Sequence, residues 1–465
     1  MHATAAALVL ALAPAATAST QTVTEISQYG ITWHFAEPVE AGQFVTGDWW
    51  VLGPVTVEAV DPAPQTKPGG QFVHGSMVDP VPGPGQAYDS RAHSFDEDLV
   101  VEYPLQLEGQ PTTSLVSTIA YEPDDPEQLR PNLSDAAVLT VLAQPPPDDA
   151  FRPGLVAGEK TIYRQRDINW DRLPALEPAG SVPSAEQIDD EWTPRFKRPW
   201  LVHGHVWAGE EQLAPINNME NYHQYIAIEL MTGAVLLVTD YGDRTNLMRH
   251  YLQVGIDYAA VSLNNEGGTA IRGTYAWPII FTGLMLGDEN VRDVFIDGRN
   301  STPDYHTLRQ RLYFYEDRPD EHPESEHIPQ GETWTFWHTN TGRPAIFWSS
   351  NDQLRPDEPD WNGTSETYRF MHSVAVPGFT LAARAIGELD LLEQGHHSPG
   401  AYSAYADRWM TETREHLEFY GLSEGHASVH PVRSTLGALR NDHEFIDDMW
   451  FKHRPQFEPA PPGLE

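Results

Sequence analysis

The densest gathering of chemistry-bearing side chains is Asn217-Asn218-Met219-Glu220-Asn221-Tyr222-His223-Gln224-Tyr225. On a helix, Asn218 and Tyr222 share a face with Tyr225 one turn on, and Met219 and His223 run alongside. Asn and His near a helix N-terminus offer donors where the backbone already favours an anion. The same asparagines could equally serve as plain caps. A second gathering is Asn264-Asn265-Glu266-Gly267-Gly268, followed by Arg272, Tyr275, Trp277 and Pro278. Paired glycines let backbone approach a ligand closely. A helix–helix turn would explain the glycines as well, but not the Asn, Glu, Arg and Tyr beside them. Arg272 and Tyr275 are one turn apart if that segment is helical, and Pro278 implies a late start or a kink. Downstream, His338 closes the aromatic run Trp334–Trp337, with Asn340 and Arg343 behind it, and Tyr368 and His372 share one helical face.

Other chemistries are poorly served. His203-Gly204-His205 and His396-His397 lack the spacing of a helical zinc motif, and no HExxH, P-loop, dinucleotide fingerprint or G-x-S-x-G elbow occurs. With no cysteine, thiolate metal sites, disulfides and cysteine nucleophiles are excluded. For glycoside hydrolysis a carboxylate pair is needed, and Asp240, Asp257 and Glu266 are the least generic candidates in so acidic a chain.

The elements that must position these residues fall into two styles. From Gln21 to Pro153 the runs are short and β-like: Ile31–Phe35, Phe44-Val45, Trp49–Leu52, Val55–Val60, Val100–Tyr103, Ser114–Ile119 and Ala137–Leu142, punctuated by Gly/Pro/Asp clusters. Such a series predicts an antiparallel β-sandwich over residues 19–153. Residues 154–215 are Pro-rich and acidic and read as an irregular connector, long enough to be functional. From Asn217 the period becomes helical over Asn217–Thr239, Arg244–Ser262, Thr269–Leu286, Thr367–Leu389, Ala401–Glu418 and Asp442–Phe451, with Gly242, Gly287 and Gly395 at breaks. Residues 216–455 therefore read as helical hairpins, and 456–465 as a tail. The fold class expected is α+β, a sandwich followed by an α/α toroid-like unit.

At the N-terminus, an apolar small-residue run and Ala16-Thr17-Ala18 predict a signal peptide over residues 1–18, hence a secreted or periplasmic protein. The 465 residues carry 67 acidic and 29 basic side chains, a formal charge of −38, with only four lysines (Lys67, Lys160, Lys197 and Lys452). This field repels phosphate, so nucleic acid and anionic membranes are poor partners. A polyanionic substrate would need a local island of donors. At 40% hydrophobic residues the chain has ample material for a core. No later stretch is long and apolar enough for a membrane span. No cofactor is called for, and calcium is the one ion the many carboxylates leave open.

Helical hairpins, a β-rich unit, export and Asn/His/Arg/Tyr clusters together resemble the α/α-toroid polysaccharide lyases, the class that includes alginate and glucuronan lyases. Here the β-rich unit comes first, whereas those lyases commonly place it last. The resemblance implies a partner that is an acidic, uronate-containing polysaccharide, cleaved by β-elimination. It assigns Asn218, His223 and Arg272 to neutralising the sugar carboxylate, and Tyr275 and His338 to proton transfer. Asn217, Tyr222, Asn265, Trp277, Arg343, Tyr368 and His372 would bind substrate, the aromatic faces by stacking on sugar rings. The alternatives are a glycoside hydrolase built on a carboxylate pair and a non-catalytic glycan-binding or surface protein.

Overall fold

The computed structural model describes residues 20–81, 85–91, 95–122, 133–201, 222–264, 276–294, 311–316, 333–338, 375–393 and 444–457, with positions 403, 406, 407 and 410. The chain is mixed α and β, with a large curled sheet first and helices later. Its first part forms β1 (Gln21–Gln28), β2 (Ile31–Gln43), β3 (Trp49–Leu52), β4 (Val55–Asp61), β5 (Gln65–Thr66), β6 (Phe72–Val73), β7 (Ser76–Val78), β8 (Leu105–Leu107), β9 (Thr113–Ala120) and β10 (Leu133–Leu142). Eight of these make one sheet in the order β7-β9-β10-β3-β2-β4-β8, with β1 also paired to β2.

The curl has a local cause. β3 and β4 together run antiparallel along β2, with Ala41 opposite Val51 and Thr32 opposite Asp61, but Gly53-Pro54 interrupts them. Beyond that break the two halves take different neighbours: β3 pairs with β10 and β4 with β8. Gly53 stands at the divide, its N–H donating to the Leu142 carbonyl at 2.8 Å. The β3–β10 pair is parallel, Trp49 lying opposite Leu139. The purely antiparallel sandwich expected from the strand series is corrected on that point, because β10 returns only after a long excursion and can enter in β3's own direction. Val100–Tyr103 also forms no strand; pairing begins at Leu105, just past Pro104, which has no N–H to give a ladder.

β9 and β10 are walls between two cores. Leu115, Ala137, Leu139 and Val141 face an inner core with Trp33, Val51 and Val57. The alternate residues Val116, Ala136 and Val138 face a larger cluster shared with the helices. This period of two, buried on both faces, is what a covered strand requires.

The described α-helical elements include α1 (Ala185–Gln187), α2 (Tyr222–Val238), α3 (Thr245–Leu263), α4 (Ala276–Leu286), α5 (Glu289–Arg292), α6 (Val376–Ile386), α7 (Leu389–Glu393) and α8 (Glu444–His453). A hairpin of β11 (Arg311–Glu316) and β12 (Thr333–His338) lies between α5 and α6 in the chain. α2 packs on α6, and α3 on α4. Gly255 of α3 permits the second contact: a Cβ there would lie 1.9 Å from Thr282 Oγ1 and 2.6 Å from the Pro278 carbonyl. Pro278 lies in α4, whose described residues run from Ala276 to Leu286.

Residues 151–201 hold only short helical turns, yet they are packed, not draped. Phe196 meets Trp200 and Tyr251, Trp200 meets Tyr258, and Tyr251 meets Phe281, with ring centroids 5.4–6.0 Å apart. Sheet, connector and helices thus share one hydrophobic cluster.

α3 is buried on nearly every side, and it carries a polar stripe of His250, Gln253 and Asp257. Burial, reinforced by the charge of Lys197, holds His250 down to about 4. In the unfolded chain a histidine titrates near about 6.5, so the folded state binds its proton less readily. Stability tied to His250 is therefore complete above about pH 6.5 and is lost as pH falls toward about 4, by about 3 kcal/mol. Urea unfolding at about pH 7 and about pH 4.5 checks this: His250→Gln should lose clearly less stability than the parent between the two. Equal losses would remove His250 as the source.

Candidate functional site

One cleft of about 400 Å³ opens at the C-terminal end of α3. Its apolar lining comes from Ile256, Ala259, Ala260 and Leu263, which recur at helical spacing on α3, and from Val291 of α5. Its polar lining comes from Glu159, Thr161 and Tyr163 of the connector and from Asn264, Thr282, Asp288 and Asn290. Clefts of about 300–1,000 Å³ with apolar walls and a few polar groups are typical small-ligand sites.

The polar groups are held by short local structure. Asp288 caps α5, its Oδ1 accepting from the N–H groups of Asn290 and Val291 at 2.9 and 3.1 Å. Its Oδ2 accepts from the Tyr163 hydroxyl at 2.6 Å. Burial and this bond to a carboxylate push Tyr163 well above the usual tyrosine range, so its proton stays on. Asp288 is in turn committed to three donors, which makes it a structural acceptor and a poor general acid or base. Thr282 Oγ1 is buried in the cleft lining and has no hydrogen-bond partner.

The connector wall is fixed by Lys160. Its ammonium donates to the carbonyls of Gly154 and Val156 at 2.9 and 2.6 Å and pairs with Asp79 at 2.9 Å. The loop thus closes around its own lysine and is tied to the sheet through Asp79 and Ser114. Burial lowers the lysine's pKa, and Asp79 works against that shift. In the same loop, Gly158 has φ of +114° and sits against Asn264, where a Cβ would lie 2.0 Å from the side-chain oxygen. Only glycine satisfies both the left-handed backbone and the contact.

Most residues proposed from sequence lie elsewhere in the chain. Asn217, Asn218, Asn265, Arg272, Tyr275, Arg343, Tyr368 and His372 lie outside the described residues. Tyr222 and His223 lie in α2 and His338 in β12, with side chains outside the described set. Trp277 is corrected: it is fully buried against Phe281, so its ring is a core element with no face to offer a sugar. Of the carboxylates considered for hydrolysis, Asp240 is exposed, Asp257 has both oxygens bound to Arg152, and Glu266 lies outside the described residues. Among the described residues, no group of three His, Asp or Glu side chains could hold a metal, and no helix is long and apolar enough to cross a membrane.

Sequence reasoning passed over Tyr163, Thr282 and Asp288. Asp288 did carry a signal, since Gly287-Asp288 is a helix stop followed by an N-cap. Tyr163 carried none, because an irregular connector has no period to read. No protein-family model matches the chain, and no curated protein or solved structure matches it.

The Lys160 wall is testable. In Lys160→Met, Asp79 and two carbonyls lose a buried donor, which should cost about 3 kcal/mol. Amide exchange should accelerate over residues 154–160 while β9 and β10 keep their protection. Uniform acceleration across the sheet, or none at all, would show that Lys160 does not organise the loop.

Proposed function

We propose that the chain is a secreted carbohydrate-active enzyme, specifically a lyase that cleaves an acidic, uronate-containing polysaccharide by β-elimination. The observation that supports this most is the place of the cleft. Asn264 lines it, and the segment carrying Asn265, Arg272 and Tyr275 is the covalent continuation of Asn264 toward α4. Donor-rich sequence is thereby tethered to a sugar-sized cleft lined by both polar and apolar side chains.

The chemistry needs three roles. The proton beside the uronate carboxylate must leave, so that carboxylate is first neutralised by hydrogen bonds; Asn218, His223 and Arg272 supply suitable donors. A base then removes the proton and an acid delivers one to the departing glycosidic oxygen, roles that fall to His338 and Tyr275. Asn217, Tyr222, Asn265, Arg343, Tyr368 and His372 are the proposed sugar contacts. On this reading the helices belong to an α/α toroid-like arrangement. Hydrolysis is less well served, since Asp257 and Asp288 are both consumed by structural hydrogen bonds.

Purified protein incubated with alginate, glucuronan, ulvan and pectate should release an ultraviolet-absorbing unsaturated uronate from at least one polymer. New reducing ends without that chromophore would mean hydrolysis, and neither signal would leave a glycan-binding protein. In an active preparation, Tyr275→Phe should lower turnover by about 10²–10⁴-fold with little change in substrate affinity. Arg272→Ala should weaken both, because a charged donor to the carboxylate also acts in the ground state. Near-parental turnover in Tyr275→Phe would move the proton-transfer role to another residue.

A further inference from the structure

The charges of this molecule are sorted by depth. Of the arginine and lysine side chains whose burial is described, Arg166 and Arg172 alone are exposed. The others are half-buried or buried, and many of them brace the fold. Arg152 is committed to Asp48 and Asp257, Lys160 to Asp79 and two carbonyls, and Arg244 to the carbonyls of Pro174 and Leu237. Arg384 and Arg454 share Asp407. Carboxylates do the opposite. Glu40 on β2, Glu58 on β4, Asp189 and Asp190 in the connector, Asp390 on α7 and Asp448 on α8 are all exposed. In a chain of formal charge −38, the surface of the described part is thus more negative than composition alone requires.

Folding also brings together like charges that are remote in sequence. Asp189 of the connector meets the start of α3, where the Asn246 amide donates to it at 3.0 Å. Asp243 stands just before that helix, accepting from the Thr245 N–H at 2.9 Å. The Tyr241 hydroxyl senses both carboxylates. Burial raises its pKa most, and the charges of Asp189 and Asp243 raise it further, against Arg244. An unfolded chain holds such groups far apart, so the compact state bears a repulsion that the unfolded one escapes.

The reach of salt decides how much of that repulsion survives. The screening length is about 8 Å at about 0.15 M salt and falls to about 3 Å at about 1 M. Carboxylates gathered around one turn therefore still repel at ordinary salt and are quenched only near molar salt. Salt weakens attraction as well, but exposed pairs such as Arg172 with Glu388 contribute little. The buried pairs at Arg152 and Lys160 are shielded from the ions. Repulsion is the larger effect. We infer that this surface is built for a concentrated electrolyte: hydrated monovalent cations are its partner, and the fold reaches full stability only near molar salt. This property belongs to the fold and holds whatever polymer the chain cleaves.

Urea is uncharged, so urea unfolding of the full-length protein across about 0.05–2 M NaCl reads the effect directly. The unfolding equilibrium constant should fall about tenfold or more between about 0.15 and about 1 M, beyond the salt that suffices for a surface of mixed charge. A variant carrying Glu40→Gln, Glu58→Gln, Asp189→Asn and Asp190→Asn keeps an oxygen at each exposed position and removes the charge. It should be more stable than the parent at low salt and gain less from NaCl. Sucrose at matched osmolality, which stabilises by exclusion alone, should fall short of NaCl. Stability that is flat or falls above about 0.15 M NaCl would overturn the inference. A sucrose gain as large as the salt gain, or equal salt gains in parent and variant, would do the same, because salt would then act through burial and not through charge. If the variant does not fold, the sucrose comparison decides.

Discussion

Arg152 is the fixed point of this molecule. It is fully buried, and its guanidinium reaches in two directions: Nε donates to Asp48 at 2.9 Å, and the two terminal nitrogens grip Asp257 at 2.9 and 2.6 Å. Asp48 belongs to the loop entering β3, Arg152 to the connector and Asp257 to α3, so one side chain joins sheet, connector and helix. Burial alone would disfavour the charge on Arg152, but two carboxylates in contact outweigh it and push its pKa up. The surrounding bonds close the network: Thr46 and Gln28 donate to Asp48, the Leu155 N–H to Asp257, and Gln253 to the Arg152 carbonyl. A buried ion pair of this kind is weak evidence for net stability, because desolvation consumes most of the Coulombic gain. Its force is in direction. Any other docking of α3 on the sheet would strand a buried charge, at a cost of about 3–5 kcal/mol.

The cleft inherits its geometry from that anchor. Arg152 is followed at once by Pro153 and Gly154, and the loop then closes on Lys160 before Tyr163 reaches Asp288. The same α3 that offers Asp257 to Arg152 offers Ile256, Ala259, Ala260 and Leu263 to the cleft lining. Asp257 and Ile256 are neighbours in sequence pointing to different surroundings, so fixing one rotates the other into place. Gly255 completes the arrangement by bringing α4, and with it Thr282, against α3. Connector and helix are thus two walls registered by one buried guanidinium.

How much of this could be read beforehand depended on periodicity. The strands around Ile31–Phe35, Val55–Val60, Ser114–Ile119 and Ala137–Leu142 carried clean patterns and formed where expected, and α2, α3, α4, α6 and α8 each overlap a stretch of helical period. β1 did not declare itself, because Gln21–Gln28 is polar along most of its length and buries only Ile26 and Gln28. The parallel β3–β10 pair was illegible, since strand direction depends on a distant return and leaves no local mark. Trp277 was misjudged because an aromatic residue beside a donor-rich segment reads alike whether it faces a ligand or a core. The hub was hidden for a related reason: Asp257 drew notice as a possible catalytic carboxylate, but only the fold reveals Arg152 beside it, about 100 residues away in sequence. The donor clusters at Asn217–Tyr225 and Asn265–Tyr275 lie mostly outside the described residues, so their roles stand on residue chemistry and connectivity.

The central claim is that Arg152 and Asp257 act as one unit in docking the helices on the sheet. A double-mutant cycle measures this directly, comparing urea unfolding of Arg152→Met, Asp257→Asn and the double variant with the parent. Because either single change leaves its partner buried and uncompensated, the double variant should lose less than the sum of the singles, by about 2 kcal/mol. Strictly additive losses would mean that the two side chains stabilise the molecule independently and that no such anchor joins helix to sheet.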